Sequence, residues 1–478
     1  MSASIIKSDT EISAFTVVLV RNTEDGMYPL LNSFRHIVEQ KMPEKDNGII
    51  VNYQEKGIVS AVLLKTQNGK STGELLEEAR QKGGNLTKRI NHEKCNTVTV
   101  IRASQSISKA ELIAFIEGLS LANYQFLKYK TEKKENSLNT IHVFDTEITQ
   151  NELDELKNIV DANQLAKNLG NEPVISLNSV QLGEIVTELS KELNFKTEVL
   201  QKAQIEALKM GGLLGVNYGS SVPPTFIIME YKPADAKNKK PFIFIGKGVT
   251  YDTGGYSLKP GNSMSGMKMD MSGAAAVIGG FYAIVKNQLP FYCVGLIPST
   301  DNKVSSDALV PDDVITMHSG NTIEVLNTDA EGRLILADAL TYAKKYQPEL
   351  VIDLATLTGA AAVITGALGS ALMGTDQNYR KRLIESGEMI FERLWEIPYW
   401  KEYADMLKSD VADMKNIGGP VGGSATAGKF LEFFTDYPWL HIDIAGPAIL
   451  KEDEPYKQKG ASGVGVRLLY AFAKMVSA

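Results

Sequence analysis

Only two cysteines, five histidines and three tryptophans occur in the 478-residue chain. Cys95 and Cys293 are far apart, which excludes a disulfide-stapled scaffold and any multi-thiolate metal centre. No uncharged apolar run reaches the roughly 20 residues that a membrane-spanning helix needs. Basic residues are not in excess either, with 50 Lys and Arg against 57 Asp and Glu and a net charge of −7. That balance does not indicate a surface for nonspecific phosphate binding, so nucleic acid is set aside as the main partner. The opening residues carry no basic stretch leading into an apolar one; no secretory signal is expected, and the expected location is cytoplasmic.

What the chain has is an ordinary globular composition, 44% hydrophobic and 22% charged, at a length that suggests two or three domains. Phe15–Val20, Gly57–Leu64 and Thr97–Ile101 are β-branched runs. Helical stretches at Ser71–Arg80 and Lys109–Tyr129 lie among them. The Gly69-Lys70-Ser71 triplet lacks the earlier glycine of a phosphate loop, where Leu64 stands, and reads as a turn. Leu153, Leu156, Ile159, Val160, Leu165 and Leu169 recur at helical spacing, predicting a connecting helix that ends before Gly170. Beyond it, Phe226–Tyr231 and Phe242–Ile245, separated by a polar turn, read as neighbouring strands. Phe291–Ile297 and Leu350–Ala355 are apolar enough to be central strands, and Ala274–Val285 and Ile335–Tyr346 read as helices. The fold class expected is α/β: a small N-terminal α/β domain over 1–148, a linking helix over 149–172, and a C-terminal mixed-sheet α/β/α domain over 173–478.

The unusual residues gather where such sheets carry sites, at the carboxyl ends of strands. Strand Phe242–Ile245 runs into Gly246-Lys247-Gly248, Asp252 follows on a glycine-rich turn, and Lys259 closes the segment. Asp270 precedes the Ala-rich helix. Asn327-Thr-Asp-Ala-Glu-Gly-Arg-Leu334 spaces Asp329, Glu331 and Arg333 two apart, so an extended segment would point them the same way. Each residue alone has a plainer explanation: a turn aspartate, a helix N-cap, a surface ion pair. Together they are four carboxylates beside apolar strands, where unpaired charge is expensive, and such a cluster asks for cations. His441 and the three tryptophans read as packing residues, and Met264, Met267, Met269 and Met271 as lining and core rather than a soft-metal site.

These motifs resemble the leucyl aminopeptidase (cytosol aminopeptidase) family of two-metal exopeptidases. Asn327–Leu334 matches its signature. Gly246-Lys-Gly-x-x-x-Asp252, Ser257-Leu-Lys-Pro260, Met267-Lys-x-Asp-Met271, Asp353-Leu-Ala-Thr-Leu-Thr-Gly359 and His441-x-Asp-Ile-Ala-Gly446 match in order, so the resemblance covers about 160–478. It implies one divalent ion on Asp252, Asp329 and Glu331 and a second on Lys247, Asp252, Asp270 and Glu331. The ions implied are Mn²⁺ or Zn²⁺, with Mg²⁺ or Co²⁺ also compatible with the donor set. It further implies hydrolysis of the N-terminal bond of peptides and amino-acid amides by a metal-bridging water, with apolar first residues such as leucine preferred. Lys259 would stabilise the oxyanion, and Arg333 would hold a bicarbonate proton shuttle. Met267, Thr356, Leu357, Gly359, Ala445 and Ala448 would bind substrate in a homohexamer whose N-terminal domain supports assembly. Ser272, and Ser306–Asp313 where the family more often has an arginine, depart from the pattern near the pocket. A two-metal phosphoesterase and a DNA-binding relative are the alternatives to test.

Overall fold

The computed structural model describes residues 2–9, 13–22, 25, 28–41, 48–54, 57–64, 69–103 and 105–478. The chain divides into two compact units. One comprises Met1–Gln164 with Met389–Phe391 and Lys451–Lys459, the other Leu165–Glu388, Glu392–Leu450 and Gly460–Ala478.

The first unit is a six-stranded sheet formed by β1 (Ser4–Lys7), β2 (Phe15–Val20), β3 (Ile49–Gln54), β4 (Gly57–Leu63), β5 (Thr97–Arg102) and β6 (Thr140–Phe144). Its order is β1-β6-β5-β2-β4-β3, parallel except for the β3/β4 pair. β1, β3 and β6 escape a periodicity reading because they are short or half-exposed. Ser71 caps the helix Thr72–His92 in a reciprocal box with Glu74, which accounts for the Gly-Lys-Ser triplet as a helix start. The helix predicted to reach Tyr129 stops at Ala122. Gly83 and Gly118 let it lie against Thr72–His92: a Cβ at either position would come within 2.1 Å of a facing carbonyl oxygen.

The helix Gln150–Asn171 continues through Gly170 rather than ending before it. A Cβ at Gly170 would stand 2.7 Å from that of Ala461, so this glycine answers to packing, not termination.

In the second unit the strands are β7 (Lys196–Leu200), β8 (Thr225–Tyr231), β9 (Phe242–Gly246), β10 (Gly248–Asp252), β11 (Cys293–Asn302), β12 (Asp313–Thr316), β13 (Thr322–Val325), β14 (Leu350–Ala355), β15 (Ser370–Gly374), β16 (Leu394–Glu396), β17 (Met414–Lys415) and β18 (Trp439–Asp443). The nine-stranded sheet runs β16-β15-β18-β14-β9-β11-β8-β7, with β10 beside β11. β9, β11, β14 and β18 are mutually parallel; β8 runs against both β11 and β7, and β15 runs against β18 but with β16. The sheet is therefore mixed, as expected from the alternation of apolar runs and helices. Strand β9 shows why its sequence is apolar at every position. Ile243 and Ile245 join the core under the helix Glu331–Ala343, while Phe242 turns to the other face against Phe291, Tyr379 and Phe472.

The expected pairing of β8 with β9 is not formed. The helix Ser272–Lys286 carries the chain back so that β11 enters between them, parallel to β9 and antiparallel to β8. A short polar connection makes a hairpin available, but this crossover takes the edge it would have used. β11 also extends five residues past the predicted Ile297, through the buried polar residues Ser299, Thr300, Asp301 and Asn302.

Trp395 and Trp400 are 63% exposed and are not packing residues as predicted; Trp439 is buried. Among the described residues no helix is long and apolar enough to cross a membrane.

Candidate active site

Six charged residues come together where β9, β10 and β14 end. Lys247 follows β9 directly, and its Nζ lies 2.9 Å from Asp270 Oδ1, 2.8 Å from Glu331 Oε1 and 2.8 Å from the Thr356 carbonyl. Asp252 is the last residue of β10, not part of the following turn as predicted. Lys259 Nζ bridges Asp252 Oδ2 and Asp329 Oδ1, both at 2.6 Å. Oxygen atoms of Asp252, Asp329 and Glu331 lie within 4.8 Å of one another.

The extended alternation predicted for 329–333 is absent. Asp329 sits in a turn and Glu331 opens the helix Glu331–Ala343, four residues before its expected start. Helical geometry separates Glu331 from Arg333. Glu331 meets Lys247, whereas the Arg333 Nη1 donates to the Asn416 carbonyl at 2.8 Å. Asp270 is no N-cap: the helix Ser272–Lys286 is capped by Met271 without a side-chain bond.

Charge is unbalanced here. Four buried or half-buried carboxylates share two lysines. Burial raises the carboxyls of Asp270, Glu331 and Asp329, with neighbouring carboxylates adding to it and the lysines opposing. Burial alone would depress the two ammonium groups, but Asp270, Glu331 and Asp252 around Lys247, and Asp252 and Asp329 around Lys259, outweigh it and hold both up. Burial pulls Arg333 down to about 10 against Glu331 and Asp443, so it stays charged at neutral pH. Asp270 Oδ2, Asp329 Oδ1 and Glu331 Oε1 are buried, and each is met by a lysine ammonium, at 2.9, 2.6 and 2.8 Å respectively. Such oxygens fit further cations, and their hard donor character fits divalent metal.

The residues predicted for substrate surround this centre unevenly. Thr356 donates its hydroxyl to Asp270 Oδ1 at 2.7 Å. Leu357 N and Ala445 N both donate to Asp443 Oδ1 at 3.1 Å, which ties their two loops together. Met267 opens the short turn before Asp270, Gly359 begins the helix Gly359–Thr365 facing open space, and Ala448 is buried. Ser272 donates to the Met269 carbonyl at 2.5 Å, a bond glycine could not make.

Sequence reading missed Asp443, Asn302 and Asn416. Asp443 also accepts from Thr358 Oγ1 at 2.7 Å, and Asn416 Oδ1 accepts from Leu326 N at 2.9 Å and Asn327 N at 3.3 Å. A strand-end aspartate in the quoted His441 motif was a usable signal for the first. Two asparagines in unremarkable segments offered none.

A model of the cytosol aminopeptidase family catalytic domain matches residues 164–470. The chain belongs to this family. It is an aminopeptidase, a metal-dependent hydrolase acting at the N-terminus of peptides, in a family that works with a pair of metal ions. A probable cytosol aminopeptidase of Chlorobium limicola is 39% identical over 98% of this chain and 97% of its own length. Another, from Geobacter sulfurreducens, is 41% identical over 83% of this chain and 82% of its own. Among solved structures, the bottromycin maturation enzyme BotP in complex with Mn superposes with a TM-score of 0.87 at 27% identity, covering 98% of this chain and 100% of that one. A tomato leucine aminopeptidase mutant gives 0.87 at 26%, covering 99% and 96%. This aminopeptidase shares their mixed α/β fold.

Proposed function

We propose that the aminopeptidase removes apolar N-terminal residues such as leucine from peptides and amino-acid amides. Asp252, Asp329 and Glu331 would hold one divalent ion, and Lys247, Asp252, Asp270 and Glu331 the other. The observation that carries this reading is the convergence of oxygen atoms from Asp252, Asp329 and Glu331 within 4.8 Å of one another. Manganese or zinc is the expected pair, manganese being supported by its presence in the similar BotP structure; magnesium and cobalt suit the same donors. When bound, such ions acidify a water and polarise the scissile carbonyl.

The chain's own residues do the rest. Lys259 keeps its charge and turns its Nζ–H groups to the carbonyl oxygen as negative charge develops there. With a metal bound, Lys247 would give up the proton that Asp270, Glu331 and Asp252 otherwise hold on it and would act as a neutral donor, its position fixed by the Thr356 carbonyl. Arg333 would hold a bicarbonate ion through its guanidinium, and that ion when bound would supply a proton shuttle. The Arg333 Nε is buried with no partner, which a carboxylate-like anion would satisfy. Backbone groups of Thr356, Leu357 and Gly359 orient the peptide. Met267, Ala445 and Ala448 shape the pocket for its first side chain.

A homohexamer is proposed, with the N-terminal domain (1–148, joined by 149–172 to the catalytic 173–478) supporting assembly. Exposed Val363, Leu368, Trp395 and Trp400 support self-association: such apolar groups mark contact surfaces. The location proposed is cytoplasmic, after the names of the relatives.

The test is hydrolysis of a leucyl amide against a phosphate ester by protein reconstituted with Mn²⁺ or Zn²⁺, alongside Glu331→Ala. Cleavage of the amide alone, abolished in the variant, is expected. Activity confined to the ester would overturn the reading, and a stable monomer in light scattering would remove the hexamer.

A further inference from the structure

The two halves of the carboxylate cluster come from different parts of the chain, Asp252 from the end of β10 and Asp329 and Glu331 from the segment after β13. One neutral side chain joins them. Asn302, the last residue of β11 and 5% exposed, donates from Nδ2 to Asp252 Oδ1 at 2.8 Å and to the Thr328 carbonyl at 3.0 Å. Both partners are acceptors, so the amide nitrogen must face them.

The backbone of Asn302 adds to this. Its carbonyl accepts from Thr253 N at 3.0 Å and from Thr253 Oγ1 at 2.9 Å. The Thr253 carbonyl in turn accepts from Lys259 N at 3.0 Å, so Lys259 hangs from the same joint. On the other side Thr328 Oγ1 donates to the Gly254 carbonyl at 2.6 Å and accepts from Ser257 N at 2.8 Å. Gly255, at φ +62°, makes room: a Cβ there would stand 2.8 Å from Thr328 Oγ1 and 3.0 Å from Asn302 Oδ1.

We infer that Asn302 is a positioning residue that sets the metal affinity of the site by locking Asp252 in register with the 327–331 segment; this rests on the reading of Asp252 as a metal ligand. An amide suits the place because one nitrogen supplies two N–H donors while adding no charge to four carboxylates. A carboxylate at 302 would set acceptor against acceptor at both contacts. A hydroxyl could serve only one of them.

The test is Mn²⁺ titration of chelator-treated full-length protein, with free Mn²⁺ read by electron paramagnetic resonance. Thermal unfolding of the metal-free forms is measured in parallel. Asn302→Ala is expected to weaken Mn²⁺ binding about 10- to 100-fold, the usual cost of removing a group that orients a metal ligand. Asn302→Ser, a milder change that keeps one donor, is expected to fall between it and the wild type, and it carries the test if the alanine variant does not fold. A merely structural role would lower the unfolding midpoint and leave the Mn²⁺ dissociation constant unmoved. A constant within twofold of wild type in the folded variant therefore overturns the inference. Asp252→Asn is the control. If wild type binds no Mn²⁺, or Asp252→Asn binds it as tightly, the ligand assignment fails and takes the role of Asn302 with it. Loss in Asp252→Asn without loss in Asn302→Ala refutes only the latter.

Discussion

Gly332 leaves the space that Lys247 fills: a Cβ at 332 would stand 2.6 Å from Cε, 2.8 Å from Cδ and 2.8 Å from Nζ of that lysine. The ammonium cannot simply swing aside, because Asp270, Glu331 and the Thr356 carbonyl hold it from three directions. Gly332→Ala is expected to displace Lys247, weakening Mn²⁺ binding and lowering kcat at least about tenfold, the scale on which a small misplacement at a catalytic centre is felt. Titration and steady-state kinetics measure both. Unchanged values would mean that Lys247 has room to move.

Lys259 is the second cation of the cluster, and its proposed work is done on the reacting carbonyl. Lys259→Ala is expected to lower kcat on a leucyl amide by about 10²–10³, as loss of an oxyanion donor does, with little change in KM. A fall of less than fivefold in kcat at saturating metal would rule out that role.

Away from the centre, Asp338 accepts from Leu213 N at 2.9 Å and His318 N at 2.8 Å, and burial still pushes its carboxyl up to about 7. The folded chain therefore holds a proton that the unfolded chain, with a pKa of about 3.9, releases. Stability from this group is full below about pH 4 and is lost as pH rises through about 7. Asp338→Asn removes that dependence. The difference in unfolding midpoint between wild type and variant should narrow from pH 5 to pH 8, and a constant difference would contradict the shifted carboxyl.

Asp353 accepts from Trp439 Nε1 and pairs with His441 Nδ1, both at 2.6 Å and all three side chains buried. Burial lowers the imidazole, but Asp353 more than offsets it and the His441 pKa is raised. Asp353→Ala strands both partners in the core and is expected to cost about 3–5 kcal/mol in denaturant unfolding. A loss below about 1 kcal/mol would show the pair to be dispensable.

Much of this was legible because the chemistry is local in sequence. Lys247, Asp252, Asp270, Asp329 and Glu331 stand out as charges next to apolar strands, and the structure gathers all five. β9 and β14 stand out because both of their faces are covered. What was hidden depends on partners distant in the chain. Nothing in Phe226–Tyr231 or Phe242–Ile245 says that a third strand will part them. The switch from turn to helix at Glu331 breaks a two-residue spacing that looked extended. Asn302 and Asn416 act by hydrogen bonds to segments 26–90 residues away, and a neutral amide leaves no trace in charge or periodicity.

The insertion of β11 between β8 and β9 also sets a timetable. During synthesis β9 emerges with neither neighbour present: β11 ends at Asn302 and β14 at Ala355, and β18, which pairs with β14, ends at Asp443. Pairings across such separations form late and slowly, since the loop must close before any contact rewards it. All five proposed ligands are therefore translated before the frame that holds them is complete. From Glu331 until β18 is complete at Asp443, the growing chain carries the reagents of a peptidase without the geometry to act as one.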